Sequence, residues 1–110
     1  MRVMSFISSE ILISSKIRES EKKGIFVSII RKGETKSGAL IVEIELSKDK
    51  SSLYGRRYNL SGNYEWYFLT KNEISTRDEV IQRINDEIKR DPDCWVISVQ
   101  NSKGINIFDN

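Results

Sequence analysis

The only proline of this chain, Pro92, separates an amphipathic helical pattern from a compact apolar run, and an aspartate stands on each side of it. Proline has no backbone N–H to donate, and its ring disfavours helical geometry at the residue before it. A helix that reaches this point must therefore end by Asp91, and residues 94–99 are predicted to form a buried strand. We interpret Asp91 and Asp93 as acceptors of local backbone hydrogen bonds in the intervening turn.

The Pro92-Asp93 pair also permits a catalytic interpretation, as half of a Mg²⁺-dependent nuclease centre. Such a centre needs two carboxylates to hold the metal and a lysine to orient the attacking water. Only Asn101-Ser102-Lys103 follows in the chain, and it has an amide where the second carboxylate should be. We rank the nuclease third, after a protein-binding and a nucleic-acid-binding function. We expect no catalytic residue, no metal and no cofactor.

Histidine is absent, and Cys94 is the only cysteine. These two facts exclude Ser-His-Asp and Cys-His catalysis, His-ligated zinc and a thiolate zinc cage within one chain. A single thiol cannot form an internal disulfide, so we expect a reducing, cytoplasmic setting. The longest apolar runs, such as residues 39–42, are too short to cross a bilayer, and no membrane partner is expected.

Two segments have helical patterns. The helix before Pro92 is predicted over residues 77–90, because Thr76 and Glu79 have the spacing of a capping box. Its apolar residues lie on one stripe, at Val80, Ile81, Ile84 and Ile88. A first helix is predicted over residues 9–23, and Gly24 suits the left-handed position just after its end.

The remaining apolar residues come in short β-branched or aromatic runs separated by turn residues. Strands are predicted at residues 25–30, 39–46, 52–58, 64–69, 94–99 and, as a short last strand, 105–108. The second strand alternates, and its Glu43 and Glu45 are expected to face solvent. The order α-β-β-β-β-α-β-β favours a single α+β domain over residues 1–110, with a mostly antiparallel sheet of about five to six strands and both helices on one face.

The best candidate for a binding surface is the segment Leu53–Leu60. It contains Tyr54, Arg56 and Arg57, and Trp66 lies on the predicted partner strand. Aromatic rings and arginines on a sheet stack bases and hold phosphates, as in RNA-binding proteins. The same composition is typical of a protein–protein hot spot. It also occurs where aromatic residues fill a core and arginine stems lie over them, so three interpretations stay open.

Several segments carry a family resemblance: Arg31-Lys32-Gly33-Glu34, Gly38-Ala39, Leu53-Tyr54-Gly55 and, above all, Asp91-Pro92-Asp93-Cys94-Trp95-Val96-Ile97. Through them and the first helix, the chain resembles a family of small uncharacterised alphaproteobacterial proteins, domain of unknown function 1491. The family's first loop reads Arg-Arg-Gly-Asp, where this chain has Lys32 and Glu34, and its last strand carries an acid where this chain has Ser98. The resemblance implies a bacterial, cytoplasmic setting and no particular activity.

The resemblance directs attention to a possible polar cluster of Arg31, Glu34, Asp91, Asp93 and Trp95. These residues meet if the second helix packs beside the first loop. Arginine and carboxylates around a tryptophan form either a ligand pocket or an ion-paired joint between helix and sheet, and we favour the joint.

The sequence therefore favours a non-enzymatic protein that binds a protein partner or forms a homodimer. The second alternative is an RNA or single-stranded nucleic-acid binder that uses Tyr54, Arg56, Arg57 and Trp66. Net charge does not decide between them, because the formal value is only +2.

Overall fold

The computed structural model of the protein describes residues 8–58 and 60–108, so residues 1–7, Asn59 and the last two residues of the predicted domain lie outside the described part. The described backbone forms two helices and five strands. They are α1 (Ser9–Lys22), β1 (Phe26–Arg31), β2 (Leu40–Ser47), β3 (Lys50–Tyr58), β4 (Tyr64–Phe68), α2 (Arg77–Arg90) and β5 (Trp95–Gln100). The predicted α+β class and the order of these elements are confirmed.

The five strands form one sheet in the order β1-β5-β2-β3-β4. Every neighbouring pair is antiparallel except β2 and β5, which run parallel at the centre, with Leu40 beside Trp95 and Ile44 beside Val99. A parallel pair needs a crossover connection, and the chain between β2 and β5 supplies one that includes α2. The sheet is therefore mostly antiparallel, as predicted, around a parallel core pair.

The central strands are apolar at consecutive positions, so the sheet has a core on each face. One core contains Ile13 of α1 together with Leu40, Val42, Ile44, Trp95, Ile97, Val99 and Phe108. The other contains Val80 of α2 together with Ile41, Leu53, Leu69, Cys94 and Val96. We call these the α1 face and the α2 face. The expectation that both helices pack on one face is wrong, because strands apolar on both faces need cover on both.

Glu43, which was expected to face solvent, is buried on the α2 face and only 2% exposed. Its Oε2 accepts hydrogen bonds from Ser51 Oγ at 2.8 Å and from the guanidinium of Arg77, the first residue of α2. The hydrogen bond to Glu43 raises the pKa of the Arg77 guanidinium further above its usual range. A buried carboxylate needs such partners. The alternation of β2 correctly placed Glu43 on the opposite face from Val42 and Ile44. It did not reveal that α2 covers the face on which Glu43 lies.

The predicted end of the second helix is confirmed at the Pro92 turn. The backbone N–H of Asp91 donates to the carbonyl of Glu87 at 2.8 Å, which is the last bond of α2. Asp91 Oδ1 then accepts from the N–H of Asp93 at 3.1 Å, and its carbonyl accepts from the N–H of Cys94 at 3.2 Å. The aspartate thus holds the turn that leads directly into β5.

The short strand predicted at residues 105–108 is wrong, because this segment turns instead of pairing. The backbone N–H of Phe108 donates to Oδ1 of Asn106 at 3.0 Å, so a side chain takes the place of a strand partner. Phe108 is 8% exposed and packs against the α1-face core. The apolar pattern of this segment therefore reflects the burial of Phe108, and it does not indicate strand pairing.

Ile13→Ala and Ile11→Ala form a matched pair on α1, because Ile13 is 1% exposed and Ile11 is 63% exposed. Ile13→Ala should lower the free energy of unfolding by about 2–5 kcal/mol, since it leaves a cavity under the helix. Ile11→Ala should change it by less than about 0.5 kcal/mol. Urea denaturation of both variants measures the difference, and equal losses would show that α1 does not cover this face as described.

Candidate functional site

The predicted binding residues lie on the antiparallel pair β3–β4, at one edge of the sheet. Tyr54 stands opposite Phe68, and Arg56 opposite Trp66. Side chains of directly opposed residues share a face, and this pair of rows extends the α1 face. The α1-face core reaches only the inner part of these rows, where Tyr54 and Trp66 pack against it.

The rings on this face are arranged around one guanidinium. The Cζ atom of Arg56 lies 3.9 Å from the ring centroid of Tyr64 and 5.9 Å from that of Trp66. The ring centroids of Tyr54 and Phe68 are 4.7 Å apart. We call the surface formed by Tyr54, Arg56, Tyr64, Trp66 and Phe68 the hairpin surface.

Arg57 does not belong to this surface. Consecutive residues of a strand point to opposite faces, so Arg57 lies on the α2 face. There its Cζ is 4.6 Å from the ring centroid of Tyr67, and its Nε donates to Glu65 Oε1 at 3.0 Å. Of the four predicted residues, the fold therefore brings together Tyr54, Arg56 and Trp66 and places Arg57 behind them.

Tyr64 and Phe68 were missed as site residues, although the alternation of β4 puts them in one row with Trp66. They are also the exposed part of the hairpin surface, at 51% for Tyr64 and 38% for Phe68. Trp66, by contrast, is half-buried, with its ring centroid 6.2 Å from that of Phe108. Core filling thus accounts for Trp66 and Tyr54, but it does not account for the two exposed rings.

Arg56 is held in a partly desolvated position. Its burial lowers the pKa of the guanidinium below the usual range, while the neighbouring Tyr64 acts in the opposite direction. An arginine remains charged at neutral pH despite such a shift. The hairpin surface therefore presents one fixed positive charge among aromatic rings.

The predicted polar cluster also forms, but backbone groups hold it together. The Arg31 guanidinium donates to the carbonyl of Pro92 at 2.6 Å. The N–H of Glu34 donates to the carbonyl of Asp93 at 2.9 Å, and its own carbonyl accepts from Trp95 Nε1 at 2.8 Å. Within residues 8–58 and 60–108, no ion pair joins Arg31 to a carboxylate of the cluster.

Two glycines allow this close packing of the first loop on the Pro92 turn. A Cβ atom at Gly33 would lie 2.3 Å from the carbonyl oxygen of Asp93, and one at Gly38 would lie 2.5 Å from the same atom. No side chain fits at such distances without movement of the backbone. The cluster has the geometry of a structural joint between the loop and the start of β5.

Glu34 uses its carboxylate within the same loop. Its Oε1 accepts from the N–H of Ser37 at 2.7 Å, from the N–H of Lys36 at 3.1 Å and from Ser37 Oγ at 3.0 Å. These hydrogen bonds, led by the one from the Ser37 backbone, hold the pKa of the Glu34 carboxyl below its usual range. The carboxylate is therefore engaged in forming the loop.

Cys94, at the end of the joint, is 1% exposed. Burial raises the pKa of its thiol, and the negative charge of Asp91 acts in the same direction. A buried thiol of raised pKa is a poor nucleophile. In the described part of the chain, three or more His, Cys, Asp or Glu side chains nowhere gather as a metal site would require. None of its helices is long and apolar enough to span a membrane.

These features define an α+β protein with a five-stranded mixed sheet, a helix on each face and an arginine-aromatic surface at one edge. The chain belongs to the family described as "Protein of unknown function (DUF1491)", whose model matches residues 7–109. The resemblance noted in the sequence is therefore confirmed. Among proteins with curated descriptions, none matches this chain.

Solved structures with the same fold include two structures, each of a DUF1491 family protein from Caulobacter crescentus CB15. One, a crystal structure, is 22% identical, covers 93% of this chain and 94% of its own, and has a TM-score of 0.80. The other, an NMR structure, is 20% identical, covers 97% and 96%, and has a TM-score of 0.83. The solution structure of protein Atu0922 from A. tumefaciens is 21% identical, covers 88% and 87%, and has a TM-score of 0.73. At these identities the likeness shows the fold alone.

Gly33→Ala tests the joint, with Lys32→Ala as its control in the same loop. The added methyl group would overlap the Asp93 carbonyl, so we expect a loss of about 1–3 kcal/mol in the free energy of unfolding. Lys32 forms an exposed ion pair with Glu10 at 3.5 Å, and its removal should cost less than about 1 kcal/mol. Thermal and urea denaturation report both values. A wild-type stability for Gly33→Ala would contradict the close approach.

Glu34→Gln should reduce the dependence of stability on pH under acid conditions. The folded-state pKa of Glu34 is lowered, so its contribution is present above the ordinary glutamate value of about 4.3 and is lost as the pH falls through the folded-state pKa. Glutamine cannot titrate, and this part of the slope should vanish. Ser37→Ala removes one hydrogen bond and should give an intermediate slope. Urea denaturation between neutral and acid pH measures it, and an unchanged slope for Glu34→Gln would refute the assignment.

Proposed function

We propose that this protein is a non-enzymatic binding module of an alphaproteobacterial cytoplasm and that the hairpin surface contacts another protein. One observation carries the proposal: Tyr64 and Phe68 stay exposed beside the stacked guanidinium of Arg56, on a part of the sheet that α1 does not cover. The origin rests on the related structures from Caulobacter crescentus and A. tumefaciens. The cytoplasmic setting rests on the single, buried cysteine.

The chemistry of the hairpin surface suits a protein partner. Aromatic residues and arginine are enriched in the energetic centres of protein interfaces, where they bury large areas around few polar groups. Arg56 is already stacked on Tyr64, so less side-chain freedom is lost when a partner binds. The best-fitting partner segment carries an apolar or aromatic side chain for Tyr64 and Phe68 and a carboxylate for Arg56.

Nucleic acid is the alternative that the exposed rings also permit, because every base can stack on an aromatic side chain. Affinity for nucleic acid, however, comes largely from several cationic contacts to phosphates. The hairpin surface offers only Arg56, since Arg57 lies on the opposite face and pairs with Glu65. This distribution favours the protein partner.

The absence of an enzymatic role is part of the same proposal. The chain has no histidine for general acid–base chemistry. Its one thiol is buried, and the Asp91 carboxylate of the Pro92 turn accepts a backbone hydrogen bond. A carboxylate-based reaction remains the rival, and turnover of any substrate that is abolished by Asp91→Asn would contradict the proposal.

Affinity capture from a native lysate tests the hairpin surface. Wild-type protein and the control Ile81→Ala, which alters a 45% exposed residue of α2 on the other face of the sheet, should retain the same protein partner. The double variant Tyr64→Ala with Phe68→Ala should lose it, and Arg56→Gln should weaken it by about tenfold or more. Circular dichroism and thermal unfolding should establish that each variant is folded.

The same capture separates the two partner classes. Treatment with nuclease and a rise in salt concentration should leave a protein complex largely intact, whereas nucleic-acid binding falls steeply with salt. Partners that disappear on nuclease treatment would support the nucleic-acid alternative. Equal capture by the wild type and the double variant would overturn the role of the hairpin surface.

A further inference from the structure

The opposite edge of the sheet, β1, has a second uncovered apolar region. Phe26 is 62% exposed, Ile29 47% and Ile30 60%. On the α2 face, α2 packs against β3 and leaves the sheet beside β1 open. There Ile30 borders a groove of about 320 Å³, whose other apolar walls are Ile81, Ile84 and Ile88 of α2. The contiguous apolar lining of this groove marks an interaction site.

The backbone of β1 is also available for pairing. β1 is the terminal strand of the described sheet and is paired only with β5. Natural edge strands are usually blocked by charged residues, proline or a bulge. Residues 26–30 contain no charge and no proline, and the bulge between Ile29 and Arg31 lies at the very end of the strand. Most of this edge is thus unprotected.

We propose that the edge of β1 binds β1 of a second copy of this chain, in an antiparallel register with the two-fold axis at Ser28. The sequence of the strand is self-complementary in this register. Phe26 then stands opposite Ile30 of the second copy on the α2 face. On the α1 face, Val27 stands opposite Ile29 of the second copy. An aromatic ring against a β-branched side chain is a favourable cross-strand pair.

The charges and side-chain sizes at this edge agree with the same occupant. Ser28, the residue at the axis, is small, so two copies of it can approach each other. Residues 26–30 of both copies carry no charge, so no like charges face each other within the paired segment. A two-fold interface of this kind uses the same patch on both subunits and closes as a dimer.

This dimer is independent of the proposed function, because it uses the other edge of the sheet from the hairpin surface. The contact is short, and interfaces at the small end of the range are weak. We therefore expect a reversible dimer, with monomer and dimer exchanging across the micromolar concentration range.

Sedimentation of the full chain over a concentration series tests the proposal, with single variants at the two strand positions that face each other. Wild-type protein and the distant control Ile74→Lys should reach the mass of two chains as concentration rises. Phe26→Glu and Ile30→Lys should each raise the dissociation constant at least about tenfold, since each places a charge against an apolar residue. Both replaced residues are mostly exposed, so the fold should persist.

An equimolar mixture of the two variants tests the register itself. The mixed dimer would have one Glu–Lys pair and one intact Phe–Ile pair, so mixing should restore association. Amide hydrogen exchange of β1 in the wild type should slow as the protein concentration rises, which gives a second measurement that needs no variant. Any of three results would overturn the proposal. The first is a wild-type protein that stays monomeric at every concentration. The second is that both single variants dimerise as tightly as the wild type, and the third is that the mixture fails to associate. Protection of β1 only after a different protein is added would assign this edge to an extended segment of that protein.

Discussion

The parallel pairing of β2 and β5 is the contact on which the rest of the fold depends. Leu40, Val42 and Ile44 pair with Trp95, Ile97 and Val99 on one face, while Ile41 and Val96 pair on the other. A strand pair that is apolar on both faces is stable only when both are covered. The two helices therefore lie on opposite faces of the sheet. Two helices cannot cover all five strands, so apolar side chains stay exposed on the outer strands.

The residues that identify the family serve this central pair. The Pro92 turn ends α2 and starts β5, and Gly33 and Gly38 let the first loop pack against that turn. Trp95, itself in the α1-face core, donates from its indole to the loop carbonyl of Glu34. The cluster, which the sequence left open as a ligand pocket or, as favoured, a joint, is thus explained by local packing. The Asp91 carboxylate and the Arg31 guanidinium bond to backbone groups, which is consistent with a role in architecture.

Local signals predicted the elements well, because their causes lie within a few residues. The capping box of Thr76 and Glu79 and the stop at Pro92 appear as expected. Of the predicted stripe, Val80, Ile84 and Ile88 pack against the core, whereas Ile81 is exposed. The strand order, the burial of Glu43 and the side of the sheet taken by each helix depend on contacts between distant segments, which no local pattern encodes. The candidate site divides in the same way. Tyr54, Arg56 and Trp66 come together because β3 pairs with β4. The alternation of side chains along a strand would by itself have excluded Arg57 from the predicted site and included Tyr64 and Phe68.

The two uncovered regions lie at opposite edges of one sheet, and this separation has a mechanical consequence. A dimer formed through β1 would join two sheets edge to edge and hold the two hairpin surfaces at its far ends. Neither contact would then obstruct the other, and the dimer could bind two partner segments at once. Two linked sites bind a partner with two matching segments far more tightly than either site alone, provided that the partner spans the distance. A monomeric variant would keep the affinity of each hairpin surface and lose only this gain. The β1 edge would thus tune the strength of binding, while the hairpin surface determines what is bound.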